Sequence, residues 1–343
     1  MDMKEIESFV TQKSINEIIN EYPYTENFFS AIRLEVLNKE NTLVNVVNSV
    51  PDDYFDDYGL TKTKFIEMFI NFVDKIRKEE QEEPDTLNSI TIIGGKNKYG
   101  QKEDVRITIN KGEIACIVGP TGSGKSRLLE DIECMAQKDT PTDRVILLEG
   151  ELPSEDRRFN LENKLVAELS QNMNFVMDLS VKEFIEMHAE GRMAKNIEEI
   201  KNEILECANE LAGEKFSEDI KVTQLSGGQS RALMIADTAL LSSSPIILID
   251  EIENAGIDRK KAMDILIKKE KIILMSTHDP ILALMGDKRI VIENGGIKKV
   301  IESSETEKRN LTKLSEIDKK FNELRNKIRL GEKIDFDVEN LFK

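Results

Sequence analysis

The spacing of apolar residues along the chain changes near residue 86. In the first 85 residues they recur every three or four positions, which is typical of one buried face of a helix. Ser14, Thr25 and Thr61 stand where three such helices would begin. The charged, helix-breaking segment KEEQEEPDT follows them. We therefore expect residues 1–85 to form a small helical domain.

Beyond residue 86, short apolar runs bounded by turn residues alternate with helical spacing. The later runs, RVILLEG, PIILID and KIILMSTH, are continuous, as in strands of a parallel sheet covered by helices on both faces. The sequence thus predicts an α/β domain over residues 86–303, in which Asn196 caps a helix that ends at Gly213. A tail over residues 304–343 carries an amphipathic helix closed by Gly331.

A glycine-rich segment, GPTGSGKS, lies between a predicted strand and a predicted helix. Its spacing, G-x-x-x-x-G-K-[ST], lets backbone N–H groups turn toward an anion at the positive end of the helix. Lys125 would neutralise the charge of the β- and γ-phosphates, and Ser126 would ligate Mg²⁺. The predicted nucleotide site consists of Gly119, Pro120, Thr121, Gly122, Ser123, Gly124, Lys125, Ser126 and Arg127.

The run PIILIDE delivers two carboxylates to the C-terminal edge of the predicted sheet, where ligands of such sheets bind. Asp250 is expected to hold Mg²⁺. Glu251, one residue later, is expected to act as a general base toward the attacking water. An apolar strand that ends in acids indicates little by itself, but beside a phosphate loop it predicts the hydrolytic half of an ATPase site.

The segment LSGGQ, residues 225–229, offers a second set of backbone N–H groups and a hydroxyl before a helix. An ATP whose phosphates are already bound by the first loop does not need a second phosphate-binding segment from the same chain. This segment resembles the signature of the ABC (ATP-binding cassette) ATPases, which contacts the γ-phosphate bound by the opposite subunit. The resemblance implies a homodimer in which Ser226, Gly227, Gly228 and Gln229 bind ATP in trans.

The resemblance covers about residues 89–300 and implies further roles. Gln171 is similar to the glutamine that contacts Mg²⁺ and water, and His278 is similar to the histidine that bonds the γ-phosphate. Asp258 resembles the aspartate of the loop that crosses the dimer interface, and Tyr99 is a candidate to stack on adenine, with core packing as the alternative. The implied fold is a cassette with a mostly parallel sheet core, an antiparallel β edge and a helical signature subdomain at about residues 172–228.

Composition narrows the possible partners of the 343-residue chain. Its formal net charge is −17, so a groove for nucleic acid is not expected. Neither a membrane span nor a signal peptide is evident, which predicts a cytoplasmic protein, peripheral at the inner membrane if it serves a transporter. The three cysteines are expected to be reduced and mostly buried. His188 is expected to be a surface helix residue.

Two functions remain open for an ATPase of this kind. Ile252 follows Glu251 where transporter members usually have proline, and Asp237 stands where arginine is common. With the additional helical domain, these departures favour a stand-alone ATPase that remodels or reactivates a soluble enzyme. The alternative is the ATP-binding subunit of an ABC transporter whose permease is a separate chain. Both hypotheses require ATP, Mg²⁺ and a second copy of the chain.

Overall fold

The computed structural model describes residues 3–31, 34, 38–51, 54–55, 58–81, 87–159, 164–170, 175–194, 196–251, 257–268 and 270–337. The chain divides into two compact units, Met1–Pro84 and Asp85–Lys343. None of the helices in the described part is long and apolar enough to cross a membrane.

The first unit is helical throughout its regular structure. Its helices are α1 (Met3–Gln12), α2 (Ile15–Glu21), α3 (Thr25–Ala31), α4 (Leu43–Ser49) and α5 (Lys62–Gln81). Ser14 begins α2 with a capping box, in which its hydroxyl accepts from the backbone N–H of Glu17 and the Glu17 carboxylate accepts in return. Aliphatic and aromatic side chains share its core, and the ring of Phe28 lies 5.2 to 5.3 Å from those of Phe65, Phe69 and Phe72.

Two sheets form the centre of the second unit. The smaller sheet has the order β2 (Arg106–Asn110), β1 (Ser89–Ile93) and β4 (Val145–Leu148), with antiparallel pairing throughout. The larger sheet has the order β5 (Val166–Leu169), β6 (Ile246–Asp250), β7 (Ile272–Ser276), β3 (Ile114–Val118), β8 (Lys288–Glu293) and β9 (Gly296–Glu302). Its first five strands are parallel, and β9 is antiparallel to β8.

The strand in RVILLEG corrects one prediction. We expected it in the parallel sheet, but β4 pairs antiparallel with β1 in the smaller sheet. A continuous apolar run records burial of both faces, and the strand of a small sheet stacked on the main core is buried on both faces as well. The direction of pairing is not encoded in that pattern.

The helices described in the second unit are α6 (Lys125–Glu133), α7 (Glu155–Phe159), α8 (Val181–Gly191), α9 (Ile197–Leu211), α10 (Gly227–Leu241), α11 (Arg259–Ile267), α12 (Pro280–Met285) and α13 (Glu305–Arg329). Some of them cover the two faces of the larger sheet. Helix α6 packs in a core shared by both sheets. Helices α10, α11 and α12 pack in a second core on the other face, and α8, α9 and α10 enclose a third.

Four local predictions need correction. Asn196 precedes α9 in a left-handed conformation, and its side chain makes no capping bond to the helix backbone. Helix α13 begins at Glu305, earlier than its apolar stripe, because Ser304 supplies a capping box with Glu307. Of the cysteines, Cys116 is buried, which raises the pKa of its thiol to about 12, but Cys134 is exposed.

His188 is the fourth correction, because it is not a free surface side chain. Its Nδ1 lies 3.1 Å from both carboxylate oxygens of Asp237, which is 2% exposed, and its ring lies 4.1 Å from that of Phe184. Arg192 approaches the same carboxylate at 3.7 Å. The acidic residue at position 237 is therefore matched by basic side chains within the helical part of this unit.

Candidate functional site

The phosphate loop joins β3 to α6, and two of its glycines are required by close approach. A Cβ on Gly119 would lie 2.4 Å from the carbonyl oxygen of Ile292. Gly124 has a φ of 104°, and a Cβ there would lie 2.9 Å from Cα of Gly295. The N–H of Gly295 in turn donates to the carbonyl of Ser123 at 2.7 Å. The loop is thus held against the turn between β8 and β9.

Sheet order brings the predicted catalytic residues together. The strands β6, β7 and β3 are neighbours and parallel, so their C-terminal ends meet at one edge of the sheet. Glu251 follows β6, His278 follows β7, and Lys125 follows β3 through the phosphate loop. Three segments that are far apart in the chain thereby supply one site.

At that edge, Lys125, His278 and Glu251 form one polar cluster. Lys125 Nζ lies 3.0 Å from His278 Nε2, which lies 2.9 Å from Glu251 Oε1. The same ammonium group donates to the carbonyls of Gly119 at 3.2 Å and Pro120 at 3.4 Å. Its side chain is only 6% exposed. A buried cation that is surrounded by acceptors in this way is placed to bind an anion that enters the loop.

Glu251 has a backbone conformation that is unusual for a residue with a side chain. Its φ is 49°, in the left-handed region, and its N–H donates to the carbonyl of Ser276 at 3.0 Å. Such strain persists where the surrounding structure over-determines it, often at functional sites. Here it occurs at the residue that directly follows β6, whose carboxylate lies beside His278.

Two oxygen ligands suited to Mg²⁺ lie next to this cluster. Ser126 Oγ donates to Asp250 Oδ2 at 3.3 Å. A hydroxyl and a carboxylate are hard oxygen donors, and Mg²⁺ usually takes only one or two protein ligands and completes its shell with phosphate and water. Gln171, the third predicted ligand, lies outside the described residues, as does Ile252.

The signature residues begin α10. Ser226 is the N-cap, and Gln229 completes a capping box by accepting from the Ser226 N–H at 2.9 Å. The Gln229 side-chain amide also donates to the carbonyl of Glu214 at 3.2 Å. Within the described part of the chain, no hydrogen bond joins Ser226 or Gln229 to the phosphate loop. Gly227 and Gly228 occupy the first turn of the helix, where N–H groups lack helical partners.

The remaining predicted residues lie at the rim. Tyr99 is 66% exposed, and Lys98 Nζ lies 5.2 Å from the centre of its ring. Arg127 is exposed and pairs with Glu130 at 2.6 Å on α6. Thr121 and Gly122 lie on the exposed side of the loop. Asp258 caps α11 by accepting from the backbone N–H of Lys261.

Sequence reasoning missed the turn at Asn294 and Gly295, which supports both the phosphate loop and the loop of Tyr99. The N–H of Lys98 donates to the carbonyl of Asn294 at 3.1 Å. Asn-Gly between two apolar runs is a strong hairpin signal, so this turn could have been found from the sequence. Its contact with the phosphate loop could not, because the two segments are far apart in the chain.

Fold and site together define a P-loop nucleotide hydrolase of the cassette type. A sequence model of the ABC transporter family matches residues 102–254. An uncharacterized ABC transporter ATP-binding protein of Methanocaldococcus jannaschii is 52% identical over 249 residues, covering 72% of this chain and 95% of that protein. The chain therefore belongs to the ABC transporter ATP-binding proteins, and like the cassettes of that family it hydrolyses ATP.

More distant relatives agree with this assignment. A second uncharacterized ABC transporter ATP-binding protein of the same organism is 31% identical over 209 residues, covering 57% of this chain and 87% of that protein. Among solved structures, an ATP-binding subunit of an ABC transporter shares the fold with a TM-score of 0.50 and 20% identity. That likeness covers 63% of this chain and 90% of the other.

Lys125→Ala should abolish tight ATP binding, because it removes the nearly buried charge that faces the phosphates. Loss of one charge-assisted contact of this kind should weaken binding by at least about tenfold. Isothermal titration with ATP measures the effect. Lys164→Ala, which removes an exposed lysine paired with Glu133, is the control and should bind ATP normally. Equal affinity of the Lys125 variant and the wild type would remove Lys125 from the site.

Proposed function

We propose that this chain is the ATP-binding subunit of an ABC transporter, acting as an ATP-dependent homodimer beside a separate permease. The observation that carries the catalytic part is the cluster at one sheet edge in which His278 lies within hydrogen-bond reach of both Lys125 and Glu251. The names of the relatives support the transporter part. The relatives compared above are ABC transporter ATP-binding proteins, and they favour this alternative over the remodelling of a soluble enzyme, which we had favoured from the sequence.

The phosphate loop and Lys125 bind the triphosphate. Backbone N–H groups of the loop and the N-terminus of α6 face the phosphates, and the Lys125 ammonium moves from its present carbonyl acceptors to the β- and γ-phosphate oxygens. His278 lies 3.0 Å from that ammonium, so it is placed to bond the same γ-phosphate. Tyr99, exposed on a loop that is tied to the β8–β9 turn, offers its ring to the adenine base.

Ser126 and Asp250 are the proposed holders of Mg²⁺, with Gln171 as a third ligand. The ion, when bound, neutralises charge that develops on the phosphate oxygens. Ser126 stands at the start of α6, and Asp250 ends β6, so both ligands are fixed by regular structure. The 3.3 Å distance between the two oxygens is short enough for one small ion to reach both of them.

Hydrolysis requires a water to attack the γ-phosphorus while the bond to the leaving ADP oxygen breaks. Glu251 is the proposed base that takes the proton of that water. His278 lies 2.9 Å from the Glu251 carboxylate and orients it. Since the same histidine also faces Lys125, it couples the position of the base to the presence of the γ-phosphate.

The signature acts on the ATP of the opposite subunit. Ser226 lies exposed at the N-terminus of α10, and the N–H groups of Gly227 and Gly228 follow it in the first turn. These groups suit the γ-phosphate of a nucleotide on a second copy of the chain. Gln229 supports this arrangement from behind, because its amide is already bonded to Ser226 and Glu214. A cytoplasmic location, at the membrane only through the permease, follows from this assignment.

Glu251→Gln should bind ATP normally and hydrolyse it about 10² to 10⁴ times more slowly, the usual contribution of a positioned base. The amide keeps the shape of the side chain but cannot accept the proton of water at neutral pH. Steady-state ATPase assays and size-exclusion chromatography measure the two consequences. The variant should accumulate as a dimer with Mg-ATP but not with Mg-ADP.

Two results would separate the parts of this assignment. A wild-type hydrolysis rate in Glu251→Gln would mean that the base is a different residue, with His278 the next candidate. A slow variant that stays monomeric in saturating Mg-ATP would leave Glu251 as the base while contradicting the ATP-dependent dimer.

The trans arrangement predicts complementation between two inactive chains. Lys125→Ala destroys the phosphate loop of its own chain, and Ser226→Arg blocks the signature that its chain offers to the partner. In a mixed dimer, one of the two composite sites remains intact. Each mixed dimer should therefore show about half of the hydrolysis of a wild-type dimer, and the mixture as a whole less than that, because it also contains inactive homodimers of each variant. No recovery, with mixed dimers demonstrated by affinity tags of two kinds, would contradict the trans signature.

The partner class is tested by affinity capture with Glu251→Gln in Mg-ATP from detergent-solubilised cells of the native host. We expect an integral membrane protein with several spans to co-purify, because the trapped dimer keeps its permease-bound state. Lys125→Ala, which cannot close around ATP, is the matched control and should capture less of it. Capture of a soluble enzyme in place of a membrane protein would instead support remodelling.

A further inference from the structure

A fully buried ion cluster lies behind the nucleotide site. The Arg144 guanidinium donates through Nε and Nη2 to the two carboxylate oxygens of Glu103, at 3.0 and 2.6 Å. Its Nη1 donates to Asp131 Oδ2 at 2.8 Å. The side chains of Arg144 and Asp131 are 0% exposed and that of Glu103 is 2% exposed. Burial of three charges is costly, so their retention calls for a specific role.

The cluster contains more carboxylate oxygens than the single guanidinium group binds. Two carboxylates face one guanidinium, and Asp131 Oδ1 has no hydrogen-bond partner within the described part of the chain. Burial favours a raised pKa for Glu103, but bonds from Arg144 and from the N–H groups of Gly95 and Ile297 hold that pKa below its usual value. Glu103 is therefore a buried carboxylate that stays charged and binds backbone on two sides.

Each member of the cluster belongs to a different part of the nucleotide site. Asp131 is on α6, the helix that the phosphate loop begins. Glu103 accepts from Gly95 N–H and so closes the base of the loop over residues 95–103, which presents Tyr99. Arg144 Nη2 also donates to the carbonyl of Gly295 at 3.0 Å, in the turn that touches the phosphate loop. One guanidinium thus links all three segments.

The linkage is rigid because its contacts are short and close-packed. A Cβ on Gly95 would lie 2.0 Å from the carbonyl oxygen of Thr142, and the Thr142 hydroxyl donates to Asp131 Oδ2 at 2.8 Å. The Tyr99 loop therefore cannot shift without moving the Arg144 segment. A lysine at this position carries its three N–H donors on a single nitrogen and cannot replace the four bonds that the planar guanidinium makes to Glu103, Asp131 and Gly295.

We infer that Arg144 is a positioning residue that sets the distance between the adenine contact at Tyr99 and the phosphate loop. The inference rests on the proposed contact of Tyr99 with the base. Arg144 is not itself a proposed contact of adenine or phosphate: it holds the Tyr99 loop through Glu103 and is anchored by its bonds to Asp131 and Gly295. The phosphate loop keeps its own bond to the turn, from the Gly295 N–H to the Ser123 carbonyl, so loss of Arg144 should weaken recognition of the base and leave recognition of the triphosphate intact.

The test compares KM for ATP with the inhibition constant of inorganic tripolyphosphate, which has no base. Tyr99→Ala should raise KM by about tenfold, the usual effect of losing one aromatic stack on a base. Arg144→Lys should raise KM by about fivefold, less than loss of the ring itself. In both variants the inhibition constant of tripolyphosphate should stay within about twofold of wild type, and in Arg144→Lys kcat at saturating ATP should do so as well.

The double variant separates positioning from general destabilisation. If Arg144 acts through the Tyr99 loop, Arg144→Lys adds no further rise in KM to Tyr99→Ala, because no ring is left to place. Lys201→Met is the control, since it removes another nearly buried cation, paired with Glu186 and Glu198, from the helical part of the unit. Lys201→Met should lower thermal stability without changing the ratio of KM for ATP to the inhibition constant of tripolyphosphate.

Each outcome decides between the two proposals. Equal weakening of ATP and tripolyphosphate by Arg144→Lys, an unchanged KM, or additive effects with Tyr99→Ala would overturn the positioning role and leave the base contact standing. An unchanged KM in Tyr99→Ala would overturn the base contact, and the inference with it. If Arg144→Lys does not fold, Glu103→Gln takes its place, because an amide must set a donor against the N–H of Gly95 or Ile297. The changes expected in KM and in the inhibition constant of tripolyphosphate are then the same as for Arg144→Lys.

Discussion

The site depends on one ammonium group, that of Lys125, which lies almost buried among acceptors of the phosphate loop. Desolvation of a cation is costly, and the chain offsets it with carbonyls of the phosphate loop and with His278 beside Glu251. Those acceptors come from the ends of three adjacent parallel strands, so the sheet order is what makes the buried charge tolerable. An incoming γ-phosphate replaces weak acceptors with a strong one, which gives ATP a ready place in the fold.

Much of this site could be predicted from sequence because its parts are local. A strand, a glycine loop and a helix N-terminus follow one another around Lys125, and an apolar run leads directly to Asp250 and Glu251. The parallel sheet then brings them to one edge by its general geometry. The fold class was predictable for the same reason, and relatives of this family confirm both it and ATP hydrolysis.

Contacts between segments that are far apart in the chain could not be predicted from the sequence, because no repeating pattern of residues links the two segments. Arg144 precedes an ordinary apolar run, and nothing around it indicates that Glu103 and Asp131 will surround it. His188 looked solvated because its partner, Asp237, lies on another helix. Which residues form such a pair depends on how the helices and strands pack in three dimensions. In the sequence of a helix, a buried carboxylate appears only as a polar residue at a position where an apolar one is expected. The pairing of β4 could not be predicted either, because its burial pattern does not indicate whether a strand pairs parallel or antiparallel.

The capping box at Ser226 and Gln229 has a consequence for how two subunits meet. Because the box already fixes the first turn of α10 in a single chain, the N–H groups of the signature point outward before any partner arrives. In the homodimer that we propose, the signature segment therefore needs no ordering of its own on contact, and the cost of association at this segment is mainly the translational and rotational freedom of the subunits. A segment that is prepared in advance also separates without unfolding, so in that dimer the same contact can form again with each turnover.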